Sequence, residues 1–203
     1  MKIIKFIFDA IFPPRTSELV IREITPNTMV RKYSPHPHQN IVCLSNYTDP
    51  TIKALITENK YHNNPAASKY LAQLLEAWLK TQTLPIVLMP IPLSKEREQE
   101  RGYNQVTEVL KHFKSDKPCS LDETSLKRTR HTTPQTSLPR TARLKNLNGA
   151  FACDKEKINS YKNCLLVLVD DVATTGATLA EARAELQPNL HPTTRIIYLV
   201  LAH

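Results

Sequence analysis

Leu165-Leu166-Val167-Leu168-Val169-Asp170-Asp171-Val172-Ala173-Thr174-Thr175-Gly176-Ala177-Thr178-Leu179 opens as five aliphatic residues, turns into two carboxylates, and closes in a loop of small and hydroxyl residues. An apolar run without polar alternation fits a strand buried on both faces, as in a parallel sheet. Ligands of open α/β sheets bind just beyond the carboxyl ends of such strands, which is where Asp170 and Asp171 fall. Residues 179–186 are strong helix formers, so the amides of the preceding loop would sit at a helix N-terminus suited to a phosphate. The plain alternative is a capped turn, with Thr174 or Thr175 closing the helix end. The conjunction favours a ligand: acids that grip hydroxyls and amides that grip a phosphate together describe a sugar phosphate. The chain has 3 glycines in 203 residues, so a glycine kept at 176 points to a backbone task.

Outward from this stretch the pattern stays α/β. Residues 66–80 carry an apolar stripe at Tyr70, Leu71, Leu74, Leu75, Trp78 and Leu79, which predicts a helix, and residues 86–89 predict a buried strand. A further helix is expected over residues 106–113 and a last strand over residues 195–201. With a helix at 179–187, that strand completes a strand, helix, strand crossover around the acid pair.

A second motif follows the expected strand at 86–89. Pro90-Ile91-Pro92-Leu93-Ser94-Lys95 leads into Glu96, Arg97, Glu98, Glu100 and Arg101, and then Gly102-Tyr103-Asn104-Gln105. Alone it reads as a stiff turn entering a helix with solvated ion pairs. After a parallel strand, Ser94 and Lys95 become a turn where a pyrophosphate could meet amides and an ammonium, with Arg97 and Arg101 as bidentate phosphate partners.

Net charge is +8, which favours anionic partners, either polyphosphates or nucleic acid. Between Thr124 and Cys153 no acid occurs, while Lys127, Arg128, Arg130, Arg140, Arg143 and Lys145 all fall there with His131. The stretch reads as a basic loop, a flexible flap over a pyrophosphate, or a contact to a DNA backbone. Neither Gly-x-x-x-x-Gly-Lys nor Gly-x-Gly-x-x-Gly occurs, which makes nucleotide folds built on those loops poor candidates. Residues 1–12 are apolar but interrupted by Lys5 and Asp9 and ended by Pro13-Pro14, so an amphipathic helix docked on the core is expected rather than a signal or transmembrane segment. The four cysteines, Cys43, Cys119, Cys153 and Cys164, form no Cys-x-x-Cys pair, in keeping with a cytoplasmic chain with free thiols.

The acid-pair segment resembles the phosphoribosyl pyrophosphate (PRPP) motif of type I phosphoribosyltransferases. The ordered set of Pro-x-Pro-Leu-Ser, Arg101-Gly102-Tyr103-Asn104-Gln105, the Lys127-Arg128 to Gln135 loop, Arg143 to Asn146, Gly149-Ala150-Phe151 and the acid pair resembles the ComF family over roughly residues 50–203. That resemblance implies a type I phosphoribosyltransferase fold, α/β with a mainly parallel sheet flanked by helices, and a link to natural competence, DNA uptake or DNA utilisation. It also implies roles. Asp170 and Asp171 would hold the ribose hydroxyls. Val172, Ala173, Thr174, Thr175, Gly176, Ala177 and Thr178 would cradle the 5′-phosphate. Ser94, Lys95, Arg97, Arg101, Arg128 and Arg130 would face the pyrophosphate, and Mg²⁺ would arrive with PRPP. Two functions follow: a phosphoribosyl transfer to an unidentified acceptor, or a non-catalytic module that senses PRPP or binds single-stranded DNA. A homodimer stays open as an assembly.

Many ComF-like proteins carry a four-cysteine zinc ribbon after an apolar segment ending in Pro-Pro. Here Thr16 follows Phe12-Pro13-Pro14-Arg15, and no cysteine comes before Cys43. Residues 1–60 are therefore expected to form a degenerate N-terminal extension to a phosphoribosyltransferase-like domain at 61–203. His36, His38 and Cys43 are too few and too irregular for structural zinc, so no zinc is expected.

Overall fold

The computed structural model describes residues 13–38, 40–129, 149–173 and 176–203. The expected helix at 1–12 and most of the basic flap, Arg130 included, lie outside the described residues, as do Thr174 and Thr175. Two short helices, α1 (Thr16–Arg22) and α2 (Pro26–Lys32), precede β1 (His36–His38) and β2 (Ile41–Cys43). Then follow α3 (Pro50–His62), α4 (Pro65–Lys80) and β3 (Ile86–Pro90). Next are α5 (Lys95–Arg101), α6 (Gln105–Leu110), β4 (Cys119–Leu121), β5 (Leu126–Arg128) and β6 (Phe151–Cys153). The chain closes with α7 (Lys155–Ser160), β7 (Leu165–Val172), α8 (Ala177–Leu186) and β8 (Arg195–Ala202).

The sheet is mixed but mostly parallel, in the order β1-β2-β8-β7-β3-β4, and only β1 runs antiparallel to its neighbour. β5 and β6 form a separate antiparallel ribbon. The aliphatic run reads as expected, because alternate side chains serve opposite faces. Leu165, Val167 and Val169 pack into the core under α3, α4 and α6, whereas Leu166 and Leu168 join the core under α7 and α8. Each fully buried leucine contributes roughly 1.5–3 kcal/mol of apolar transfer.

Two Asx-Pro pairs start the long helices. Asp49 accepts from the amides of Thr51 at 2.9 Å and Ile52 at 3.2 Å, and Asn64 accepts from Ala66 at 3.0 Å, with Pro50 and Pro65 in the first turns. Between them Asn63 takes the left-handed conformation, φ 43°, and ends α3. The boundary expected at residue 60 falls inside α3, and strands from before it share the sheet with β8. The helix expected over residues 106–113 is shorter, Gln105–Leu110. No helix among the described residues is long and apolar enough to cross a membrane.

The first N-terminal helix, α1, is held by a buried carboxylate. Glu58, fully buried on α3, accepts from Arg15 Nε at 2.8 Å and Nη2 at 2.7 Å, from Ser17 Oγ at 2.6 Å and from Asn64 Nδ2 at 3.1 Å. The Arg15 guanidinium leads the effects that hold this carboxyl at about 2 against the desolvation that opposes them.

Candidate functional site

β3 and β7 are neighbours and parallel, with Pro90 opposite Val169, and the chain beyond Pro90 stays beside β7 because Ile91 N donates to Val169 O at 2.9 Å. From β3 the chain crosses through α5 and α6 to β4 on one side, and from β7 it crosses through α8 to β8 on the other. The crevice between the carboxyl ends of β3 and β7 is thus the point where connections diverge, the usual ligand position of an open α/β sheet. Both sequence motifs open onto it.

The strand carries further than the apolar run predicted and includes both acids, with Asp170 paired to Val200 and Val172 to Ala202. Asp171 is buried and points to the α3 and α6 side. Lys60 Nζ lies 3.3 Å from its Oδ2, Gln105 Nε2 donates to the same oxygen at 3.3 Å, and Val172 N donates to Oδ1 at 2.8 Å. Asp170 faces the other way in the strand alternation and accepts from Asp171 N at 2.8 Å. Burial first, and then the like charge of Asp171, raise the Asp170 carboxyl well above the usual carboxylate range, while Lys60 opposes them.

Gly176 has φ +67° and forms the N-terminal boundary of α8, a conformation glycine adopts without strain. A Cβ there would sit 3.0 Å from Ile41 Cδ1, so the loop rests directly on β2. Ala173 and Ala177 are buried, and Val172 and Thr178 are half-buried, at the two described ends of the loop.

On the other wall, Ser94 caps α5, its Oγ accepting from Arg97 N at 3.4 Å. Lys95, Asn104, Lys127 and Arg128 line a cleft of about 340 Å³ together with Pro90 and Leu93, with Glu98 and Glu123 also on its wall. The ribbon of β5 and β6 presents Arg128, whose guanidinium lies 5.5 Å from the Phe151 ring centroid. Burial and the charge of Arg97 lower the Arg128 pKa, and Asp170 and Glu96 raise it, so these groups share one electrostatic neighbourhood.

Arg101 departs from its expected place as a phosphate partner. Its Nη1 donates to Gln105 Oε1 at 2.9 Å and its guanidinium lies over the Tyr61 ring at 5.6 Å, so it orients the glutamine that grips Asp171. The rest of that motif is also structural wiring. Tyr103 OH donates to Asn59 O at 2.9 Å, Asn104 Nδ2 donates to Ile91 O at 2.9 Å, and Asn104 Oδ1 caps α6. Asn59, fully buried, completes the link by donating to Gln105 O at 2.9 Å. Lys60 and Asn59 escaped the sequence reading because only the sheet brings the end of α3 to β7. Their one sequence signal is the polar run Glu58-Asn59-Lys60 near the end of a helix whose earlier buried positions are apolar.

An open, mostly parallel α/β protein with an acid pair at its switch point and a cationic cleft beside it is the class that fold and site define. No protein-family model matches the chain. Among curated proteins it is homologous to DNA utilization protein YhgH of Escherichia coli (strain K12), 31% identical over 153 residues that cover 72% of this chain and 65% of the relative. It is likewise 31% identical over 147 residues to Competence protein F of Haemophilus influenzae, covering 70% and 63%. A shorter match, 39% over 93 residues, joins it to Competence protein ComFC of Bacillus subtilis, covering 46% and 35%. The chain thus spans just under two thirds of the first relatives' length. The ComF-like resemblance read from the motifs stands on these homologues. Solved structures similar to it include an allosteric regulatory enzyme of purine biosynthesis (TM-score 0.39, 15% identity, covering 70% of this chain and 30% of that one). A hypoxanthine phosphoribosyltransferase from Staphylococcus aureus also aligns, with TM-score 0.39 and 18% identity, covering 71% and 70%.

Proposed function

We propose that the crevice between β3 and β7 binds PRPP together with Mg²⁺, and that the chain serves DNA utilisation or competence as its named relatives do. The observation that carries the first part is the convergence of two distant motifs, residues 90–95 and 169–173, at the same end of adjacent parallel strands. In this reading Asp170 and Asp171 take the ribose hydroxyls, and the loop from Ala173 to Thr178 takes the 5′-phosphate at the start of α8. Ser94, Lys95, Arg97 and Arg128 face the pyrophosphate, while Arg101 positions Gln105.

The donor set fits a divalent cation. Two adjacent carboxylates whose like charges repel gain when a cation arrives, and Mg²⁺ binds through one or two carboxylates plus phosphate oxygens. When bound, Mg²⁺ would neutralise charge on the pyrophosphate. The chain's own residues then do the positioning: Lys60 and Gln105 fix Asp171, and Lys95 and Arg128 meet negative charge developing on a leaving pyrophosphate.

Incubation with PRPP, Mg²⁺ and a panel of nucleobases and amines, followed by pyrophosphate release, separates the two functional forms. Turnover with any acceptor, lost on Asp170→Asn with Asp171→Asn, supports a transferase. PRPP binding without turnover across the panel supports a sensing module. The acid-free basic stretch between Thr124 and Cys153 motivates one addition, contact with single-stranded DNA, which predicts an affinity that falls steeply with salt. Absence of DNA binding at low salt would remove that addition.

A further inference from the structure

Three side chains that are scattered in sequence meet at the edge of the sheet, outside the crevice. His36 and Cys43 are direct partners across the β1 and β2 ladder, which sets their side chains on one face. His203 follows β8, the parallel neighbour of β2. One ring nitrogen from each of the two histidines and Cys43 Sγ all lie within 4.8 Å of one another. Hydrogen-bonded backbone holds them there: Leu44 N donates to Val200 O at 3.0 Å, Tyr47 N to His203 O at 2.9 Å, and His203 N to Ser45 O at 3.2 Å.

The chemistry of the cluster points to a ligand. His36 Nδ1 lies 2.9 Å from Ser34 O, and because a carbonyl only accepts, Nδ1 carries the proton and Nε2 offers its lone pair. A backbone carbonyl orienting an imidazole in this way is the common support of a metal-bound histidine. Cys43 is fully buried, and the His38 ring stacks on that of His203 with centroids 3.6 Å apart. Two nitrogens and one sulfur are a donor set for zinc, whereas magnesium and calcium select oxygen.

We propose that His36, Cys43 and His203 bind a zinc ion, with the fourth position open to water. Tetrahedral zinc with bonds of about 2.0–2.3 Å asks for ligand atoms about 3.3–3.6 Å apart, which side-chain rotations of about an ångström reach from the observed cluster. The ion would pin the edge hairpin to the end of β8. Ile41, two residues before Cys43 on β2, is the residue on which Gly176 rests, so the pin would brace the floor of the acid-pair loop. This site differs from a zinc ribbon, since its ligands belong to the central sheet. His203, joined to the others only by strand pairing, takes the place of His38 in a set that still supplies three protein ligands.

The test uses the full chain without a polyhistidine tag, stripped by chelator and titrated with Co²⁺ and then Zn²⁺. One equivalent of Co²⁺ is expected to produce tetrahedral d–d absorption and a thiolate charge-transfer band, both bleached by one equivalent of Zn²⁺. Cys43→Ala is expected to abolish the charge-transfer band, and His36→Gln to weaken zinc binding by more than the 10–100-fold typical of losing a supporting hydrogen bond alone, about 100-fold or beyond. No cobalt band in the wild-type chain overturns the proposal, as does zinc affinity unchanged in Cys43→Ala. The wild-type titration decides on its own if a variant does not fold.

Discussion

Replacing Gly102 and Gly176 by alanine separates the conformational cost of a left-handed residue from the cost of crowding the floor of the site. Both glycines have positive φ, +74° and +67°, so each alanine pays about 1 kcal/mol for a conformation L-residues avoid. At Gly102 a new Cβ meets nothing within 4 Å, and the loss stops there. At Gly176 the Cβ lands 3.0 Å from Ile41 Cδ1, and Ile41 is 5% exposed, so its side chain must leave its rotamer well at about 0.5–1.5 kcal/mol. The expected losses are about 1 kcal/mol for Gly102→Ala and about 2 kcal/mol for Gly176→Ala. Ile41→Val removes the crowding methyl, so Gly176→Ala in that background should fall to about 1 kcal/mol, a coupling of about 1 kcal/mol in a double-mutant cycle. Urea unfolding followed by the fluorescence of Trp78, the single tryptophan and a buried one, measures all four corners. Equal losses at the two glycines, or strict additivity of Ile41→Val and Gly176→Ala, would refute the reasoning.

Arg15→Ala should cost about 2–3 kcal/mol at neutral pH, because it strips the bidentate partner from a buried carboxylate that keeps its Ser17 and Asn64 donors and His62 at 4.0 Å. Glu58 sits at about 2 against an ordinary 4.5, so the stability it contributes is complete above its unfolded value and disappears as pH falls toward 2. The gap between wild type and variant in urea unfolding should therefore close in acid, and an unchanged gap at about pH 3 would contradict this assignment. Asp170 has the opposite sign. Its carboxyl is raised by burial and by Asp171, so stability falls as pH rises from the ordinary carboxylate range toward the folded value. Asp170→Asn is expected to gain on wild type as pH rises, in the absence of ligand, while losing PRPP binding; a variant less stable than wild type at about pH 8 counts against it.

What the sequence made legible was the stretch that carries its own local signal. Residues 165–169 are long enough and uniform enough to announce a strand buried on both faces, and the helix after Gly176 follows from composition. The three-residue strands β1, β2, β4, β5 and β6 are shorter than any periodicity window, and they exist because neighbouring strands complete them. The site divides in the same way. Asp170, Asp171, Ser94 and Lys95 were readable from their motifs. Lys60 and Gln105 reach Asp171 only through tertiary packing, and Arg101 looked like a free cation until its place over Tyr61 and on Gln105 was seen. His203 is the extreme case, joined to His36 and Cys43 by sheet order alone.

The central claim is that the crevice beyond β3 and β7 takes PRPP with Mg²⁺, and thermal unfolding with and without those ligands tests it most directly. PRPP at about a hundred times its dissociation constant should stabilise the chain by about 2.7 kcal/mol, a rise in Tm of roughly 5–10 °C for a domain of this size. The rise should require Mg²⁺ and vanish in Asp170→Asn with Asp171→Asn. No shift for the wild-type chain at millimolar PRPP and Mg²⁺, or an equal shift in the double variant, would contradict it.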